Sequence, residues 1–383
     1  MSNEFRLSRQ YQLIKRPTIL VNHLLEPPNI ISGITRYLFS LLPELVQQDR
    51  FHYVLATTWT KKKVPDRLKC EGLTIVTHPF LASTPLNAVW QAHVISDLMQ
   101  RFSALVELNC NPIGCFLPFW PRVVTVHDLY FRTLPALYPR HHRLWWNVLF
   151  PATARASSSL ICVSHTTKRD LIKYYPKLAN KAVVVHEASA LTGVSGARLT
   201  TSLRIPKRYA LMVGNISPNK NVELLAQGLK LLENQGTRLA VCHVGRDDGG
   251  HLARAVQKYS LGLTITSLGS LTDQELAEVY SGARCLVSTS KNEGFCLPVL
   301  EAQERGIPVL CPDMPIYREV AGDGALFFRP DEPVELANGL TTLFNDPTLH
   351  LRIAQSALAN AARFSWSRAA KETEAVLYRA SVR

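Results

Sequence analysis

Short apolar runs alternate along most of this chain with longer segments whose apolar positions recur every three or four residues. Residues 18–22 (TILVN) read as a buried strand. A loop, HLLEPPNIISG, follows, and then residues 34–47, where Leu38, Leu41, Leu42 and Leu45 share one face of a helix. Strand-like runs return at 53–56, 73–77, 104–108 and 123–126, separated by helical patterns such as 87–101. Alternation of this kind predicts a parallel sheet with helices packed on it. The periodicity lapses into Gly, Ser and Thr over residues 191–207, which read as a linker. It resumes with a buried-type strand at 209–213, then Gly214 and a helix from Val222, and it closes on an amphipathic helix in FSWSRAAKETEAVLY. The expected organisation is a first α/β domain over residues 1–193, a second over 194–364 and a terminal helix over 365–383.

Size and composition agree with this division. A chain of 383 residues exceeds what one hydrophobic core normally holds, and 46% apolar with 19% charged residues suits a folded protein. No apolar run approaches the ~20 residues that span a bilayer. The start, MSNEFRLSRQYQLIKRP, lacks the apolar centre of a secretory signal, so a cytoplasmic location is expected. The eight cysteines form no C-x-x-C pair, and Cys162, Cys242, Cys285 and Cys311 fall in strand-like runs. Buried reduced thiols fit that placement better than disulfides or a zinc site.

Charge changes the picture more. Between Met1 and Gly193 there are 22 Lys and Arg against 11 Asp and Glu, so +11 of the +13 net charge lies in the first half. Such a surface suits an anionic partner. No nucleic-acid-binding module is recognisable, so the surface is read as a peripheral contact with the anionic inner face of a membrane, the alternative being a merely solvated basic face. The segment 138–146 (YPRHHRLWW) mixes cations and aromatics. It suits either the headgroup region or a helix with its aromatic face in the core.

The densest chemistry lies in residues 290–308, SKNEGFCLPVLEAQERGIP. Glu293 follows a strand-like run, and Glu301, eight positions on, lies within a helical pattern. Gly294 allows a tight turn, and a turn that opens a helix presents unpaired N–H groups to an anion. One segment thus offers a carboxylate for hydroxyls, a phosphate seat and a second carboxylate about two turns on. In VVTVHDL, His127 and Asp128 stand just past the carboxyl end of a strand, where open α/β sheets keep their sites. Lys220 stands at the mouth of the turn after Gly214, placed to neutralise a diphosphate. Asp247-Asp248 is not a D-x-D metal motif, and no metal centre is expected.

Glu-x7-Glu, with EGF before it, LPVLEA around it and GIPVL after it, resembles the signature of the retaining glycosyltransferases of family four. The resemblance extends to SGITRY, TVHDL, SHTTKRDL, the strand–Gly–loop–Lys element and CPDMPIYREVAGDGALFF, and it is thin between residues 58 and 105. It implies the GT-B fold, two facing Rossmann-like domains with a C-terminal helix crossing back to the first. It also implies a catalytic set of Glu293, His127 and Lys220. Glu293 would hold hydroxyls of the donor sugar, Glu301 the ribose, and His127 the sugar near its reacting carbon. Gly33, Gly214 and Asn215 would border the donor, with Ser290, Gly294, Phe295, Cys296 and Leu297 shaping its phosphate seat. The Arg that partners the Lys in relatives is absent. Asn215 and Asn219 stand in its place, and Arg246 is the candidate substitute. Cys296 replaces a glycine, and His186-Glu187-Ala188 replaces an Asn-Gly. The implied reaction moves a hexose, of mannose type, from a GDP- or UDP-sugar to a saccharide or lipid-linked acceptor in surface-polysaccharide synthesis, with no metal or other cofactor. A GT-B sugar-nucleotide epimerase and a non-catalytic nucleotide-sugar-binding subunit are compatible with the same residues.

Overall fold

The computed structural model describes residues 16–28, 31–80, 84–114, 116–196 and 205–382. Seven strands form the first sheet: β1 (Thr18–His23), β2 (His52–Thr57), β3 (Leu73–Thr77), β4 (Ala104–Asn109), β5 (Arg122–Val126), β6 (Ser159–Cys162) and β7 (Ala182–Val184). They lie in the order β3-β2-β1-β4-β5-β6-β7, all parallel. The second sheet holds β8 (Tyr209–Val213), β9 (Ala240–Val244), β10 (Ile265–Ser267), β11 (Cys285–Val287), β12 (Val309–Pro312) and β13 (Ala325–Phe328). Its order, β10-β9-β8-β11-β12-β13, repeats that of the first six strands, again all parallel. The central strands are largely buried because helices cover both faces of each sheet; β5 is buried at every position. These are the two Rossmann-like sheets that the alternating pattern predicts, with strand ends within one or two residues of the expected ones. Of the expected linker, residues 197–204 lie outside the described part.

Each strand order reverses once, between β1 and β4 and between β8 and β11. In open α/β sheets that reversal leaves a crevice beyond the carboxyl ends of the strands, where ligands bind. The loops after β1, β4 and β5 and those after β8, β9 and β11 therefore hold the residues to watch.

A further helix, Trp366–Ser381, follows the second sheet and crosses back to the first, as expected. Ser365 caps it by accepting from Arg368 N at 3.2 Å. It packs against the Gly33–Gln47 helix, and Trp366 Nε1 donates to Ser189 O at 2.7 Å. The Tyr37 and Trp366 rings meet edge to face at 5.8 Å.

Two composition-based expectations are resolved here. The seven cysteines in the described part are free, and all but Cys70 are buried. The cation- and aromatic-rich segment opens the Arg140–Ala156 helix, and its apolar side chains divide between the core and the surface. Trp146 turns inward onto Phe131, with ring centroids 5.5 Å apart, while Leu144, Trp145 and Val148 stay exposed. Among the described residues no helix is long and apolar enough to cross a membrane.

Candidate active site

The loop after β11 delivers Glu293 to the second switch point, and the loop after β8 delivers Lys220 to the same place. Lys220 ends the short turn Pro218–Lys220 because Asn221 adopts the left-handed conformation (φ 49°) and redirects the chain into the Val222–Asn234 helix. Its Nζ lies 2.7 Å from Glu293 Oε1, and both side chains are largely buried. Burial works to lower the Lys220 pKa, but the Glu293 carboxylate outweighs it and raises the value. The two residues expected to bind different parts of a donor are thus partners of one another. The first domain reaches the same carboxylate, since Tyr130 Oη donates to Glu293 Oε2 and to Asn292 O, each at 3.2 Å.

Glu301 lies in the Leu297–Gln303 helix and accepts from the Tyr280 hydroxyl at 2.8 Å. Burial raises its pKa, opposed by the positive charge of Arg36 and by the Tyr280 hydrogen bond. Arg36 comes from the Gly33–Gln47 helix of the first domain and pairs with Asp273 of the second at 2.9 Å.

The structure corrects the expected role of Gly294. It is not the residue in a special backbone conformation; Cys296 is, at φ 73° and ψ 65°, as the cap of the Leu297–Gln303 helix. A left-handed non-glycine residue costs roughly 1–2 kcal/mol, which the neighbouring packing offsets. Gly294 is required for a different reason. A Cβ there would lie 1.8 Å from His127 O, because the two domains touch backbone to backbone at this point. Ser164 Oγ, the cap of the His165–Tyr174 helix, donates to Gly294 O at 2.7 Å and fixes the contact. Gly214 (φ 127°) and Gly245 (φ 139°) make a similar close crossing, where a Cβ on Gly245 would lie 2.3 Å from Gly214 O. That crossing leaves the ends of β8 and β9 bare of side chains beside Lys220.

His127 stands across the cleft from this half. Its Nδ1 lies 3.1 Å from Glu187 Oε1, and its Nε2 lies 3.1 Å from Cys110 O. Only the doubly protonated ring donates to both acceptors. Burial works to lower the His127 pKa, and the hydrogen bond and charge of Glu187 reverse this to a net rise above 6.5. A folded-state pKa above the unfolded one stabilises the fold fully below pH 6.5, and this stability is lost as pH rises through the folded value. Glu187→Gln removes the charge and leaves burial to dominate. The stability gap between wild type and variant is expected to be roughly 1.5–3 kcal/mol just below pH 6.5 and to shrink at higher pH. Urea unfolding over a pH series measures it, and a gap that does not change with pH would rule out the imidazolium.

Of the thirteen residues singled out from the sequence, all but Ser290 line one cavity of about 670 Å³ that takes its walls from both domains. Ser290 is buried behind that wall, with no hydrogen-bond partner for its hydroxyl among the described residues, because the backbone turns it away before Glu293. Arg246 borders the cavity but is half-exposed and pairs with Asp248 at 3.4 Å. Asp128 caps its own segment, accepting from Tyr130 N at 3.0 Å. The sequence reading missed Arg36, Tyr130 and Glu187. Arg36 stands one turn into the helix that follows the first glycine loop, a position that would have flagged it. Glu187 showed only as part of the His186-Glu187-Ala188 departure from the family's Asn-Gly, with nothing to point to His127 as its partner. Another group, His165, His186 and Glu319, also comes together only in three dimensions.

Residues 31–188 match the model of Glycosyltransferase Family 4, and residues 201–360 match that of glycosyl transferases group 1. The O-antigen chain mannosyltransferase B of Escherichia coli is 27% identical over 263 residues, which are 66% of this chain and 68% of that protein. The O-antigen chain mannosyltransferase RfbU of Salmonella typhimurium is 28% identical over 214 residues, 55% of this chain and 57% of its own length. Among solved structures, sucrose-phosphate synthase from Thermosynechococcus elongatus shares the fold with a TM-score of 0.74 at 16% identity, covering 95% of this chain and 98% of that one. HepE from Anabaena, solved in complex with UDP and glucose, has a TM-score of 0.71 at 18% identity and covers 95% and 99%. With both halves of the chain matched in order and both sheets built on the same reversal, this chain belongs to the family four glycosyltransferases of the GT-B type.

Proposed function

We propose that this chain transfers a mannose-type hexose from a nucleoside diphosphate sugar to a saccharide or lipid-linked saccharide of a surface polysaccharide, with retention of anomeric configuration. One observation carries the reading: the Glu293–Lys220 pair sits at the switch point of the second sheet and faces His127 across a cavity shared by both domains. The names of the mannosyltransferase relatives support the choice of sugar, and the HepE complex supports a diphosphate nucleotide as its carrier.

In this mechanism the bond from the anomeric carbon to the diphosphate breaks as the acceptor oxygen bonds to the same face, and the acceptor proton passes to the departing phosphate oxygen. Negative charge grows on the diphosphate while the sugar becomes oxocarbenium-like. Lys220 and the backbone N–H groups at Gly294 and Phe295 stabilise that charge from fixed positions. Arg36, from the opposite domain, and Arg246 are the candidates for the second cation, so we assign charge compensation to side chains and not to a metal. Glu293 orients the sugar ring, and Glu301 receives the ribose.

Incubating the protein with GDP-mannose and a set of UDP-sugars, and following donor consumption, tests the reading. Turnover with one of them is expected, and a protein that neither binds nor consumes any would overturn it. Lys220→Ala is expected to weaken nucleoside diphosphate binding by roughly tenfold to a hundredfold, the worth of one charge-assisted contact. Unchanged affinity in a calorimetric titration would remove Lys220 from that role. Exposed Leu144, Trp145 and Val148 beside Arg140 and Arg143 support a peripheral contact with an anionic membrane, which would place the enzyme on the cytoplasmic face. Equal co-sedimentation with anionic and zwitterionic vesicles would remove that part.

A further inference from the structure

We propose that His165, His186 and Glu319 form a binding site for a zinc-class divalent cation at the seam between the two domains, and that an ion there clamps the cleft shut. The three side chains offer two imidazole nitrogens and a carboxylate oxygen within 4.8 Å of one another. Two His and one Glu, with further positions open to water, are a donor set that zinc, nickel and copper accept and that magnesium and calcium do not favour. Ligands around a tetrahedral zinc ion with ~2.0–2.1 Å bonds stand about 3.3 Å apart, so the set closes with a shift of at most about 1.5 Å. His165 can supply that shift. It is exposed, at the start of the His165–Tyr174 helix, and among the described residues neither of its ring nitrogens has a hydrogen-bond partner.

The other two ligands are already held in place. His186 Nε2 lies 2.8 Å from Glu319 Oε1, and its ring is wedged between Phe364 at 5.5 Å and the His165 ring at 5.4 Å. Glu319 accepts from His165 N at 2.6 Å and from Thr166 N at 3.0 Å. Four acceptor sites on one carboxylate let it keep both backbone bonds when the His186 N–H gives way to the metal. Backbone bonds of this kind are the outer-shell support that metal ligands need.

Position gives the site its consequence. His165 and His186 belong to the first domain, and Glu319 lies in the Pro315–Ala321 helix of the second. An ion held by all three binds only the closed arrangement, so it shifts the population toward that state. The link to the cavity is short. The His186 ring lies 6.1 Å from Phe295, and Ser164, next to His165, bonds Gly294 O. Opening of the cleft, and with it product release, is what the ion would slow. This inference is independent of the identity of the sugar.

Chelator-treated protein titrated with zinc sulfate in a calorimeter is expected to bind one ion saturably and to gain thermal stability, with magnesium giving neither. Loss of an outer-shell partner alone typically costs at least about tenfold in metal affinity. His165→Ala, which removes a ligand itself, should therefore weaken zinc binding by at least that factor. Its turnover without metal is expected to match wild type, because the His165 ring supports no hydrogen bond in the fold. His186→Ala should lose the ion as well. Absence of saturable binding, or the same affinity in wild type and His165→Ala, would overturn the proposal.

Discussion

Glu293→Gln is expected to lower sugar transfer by a factor on the order of a hundred to a thousand while nucleoside diphosphate affinity stays within a few-fold of wild type. Gln keeps the size of the side chain and an acceptor for Tyr130, so the loop after β11 should hold its course. What it removes is the charge opposite Lys220, 2.7 Å away. In the empty enzyme that charge competes with the diphosphate for the lysine. The variant therefore leaves Lys220 freer for phosphate while taking away the group that fixes the sugar ring. Removing one partner of a buried pair typically costs ~3–5 kcal/mol, so the variant should also melt earlier than wild type, while nucleotide stabilises both by a similar amount. Single-turnover kinetics alongside a binding titration separates the two effects. Wild-type turnover would show that Glu293 does not orient the donor.

Much of this site was legible before any coordinate. TILVN, RVVTV and YALMV are strands because a parallel sheet covered on both faces favours runs dominated by apolar residues, and the residues that follow such strands are where these sheets bind. Glu293, His127 and Lys220 stand out for that reason, and Glu301 through its spacing from Glu293 in the family signature. What escaped depends on contacts between distant parts of the chain. Glu187 matters because it meets His127 across sixty positions, and Arg36 because it meets Asp273 from the other domain. Neither pairing has any periodicity to betray it. Gly294 was noticed for the wrong property: sequence suggests a turn, whereas the structure shows a missing side chain where two backbones touch. The left-handed residue is Cys296, a type that gives no such hint.

Gly294→Ala follows from that contact, with the second large effect. A methyl group 1.8 Å from His127 O and 2.8 Å from His127 C cannot be absorbed by a rotamer change, because both neighbours are backbone. The domains must separate by an ångström or more, and the Ser164 and Thr167 bonds to Gly294 O, 2.7 Å and 3.2 Å, stretch with them. A misplacement of about 1 Å between reacting groups can cost on the order of a hundredfold in rate. Turnover is therefore expected to fall by about that factor, with nucleotide affinity largely kept, since Lys220 and Glu301 belong to the second domain alone. Small-angle scattering with nucleotide bound should show a wider particle than wild type. Full activity in a particle of unchanged width would mean that the contact is not part of the working state.

The Trp366–Ser381 helix has a consequence for how the chain is made. Its buried face, including Trp366, Val376 and Leu377, completes the hydrophobic core beneath the Gly33–Gln47 helix. At ~1.5–3 kcal/mol for each such side chain, these three contribute about as much as the whole net stability of many domains, ~5–15 kcal/mol. Domains generally fold in the order they leave the ribosome. Here the first domain to emerge keeps that apolar face uncovered until the second has been synthesised and the last helix can dock on it.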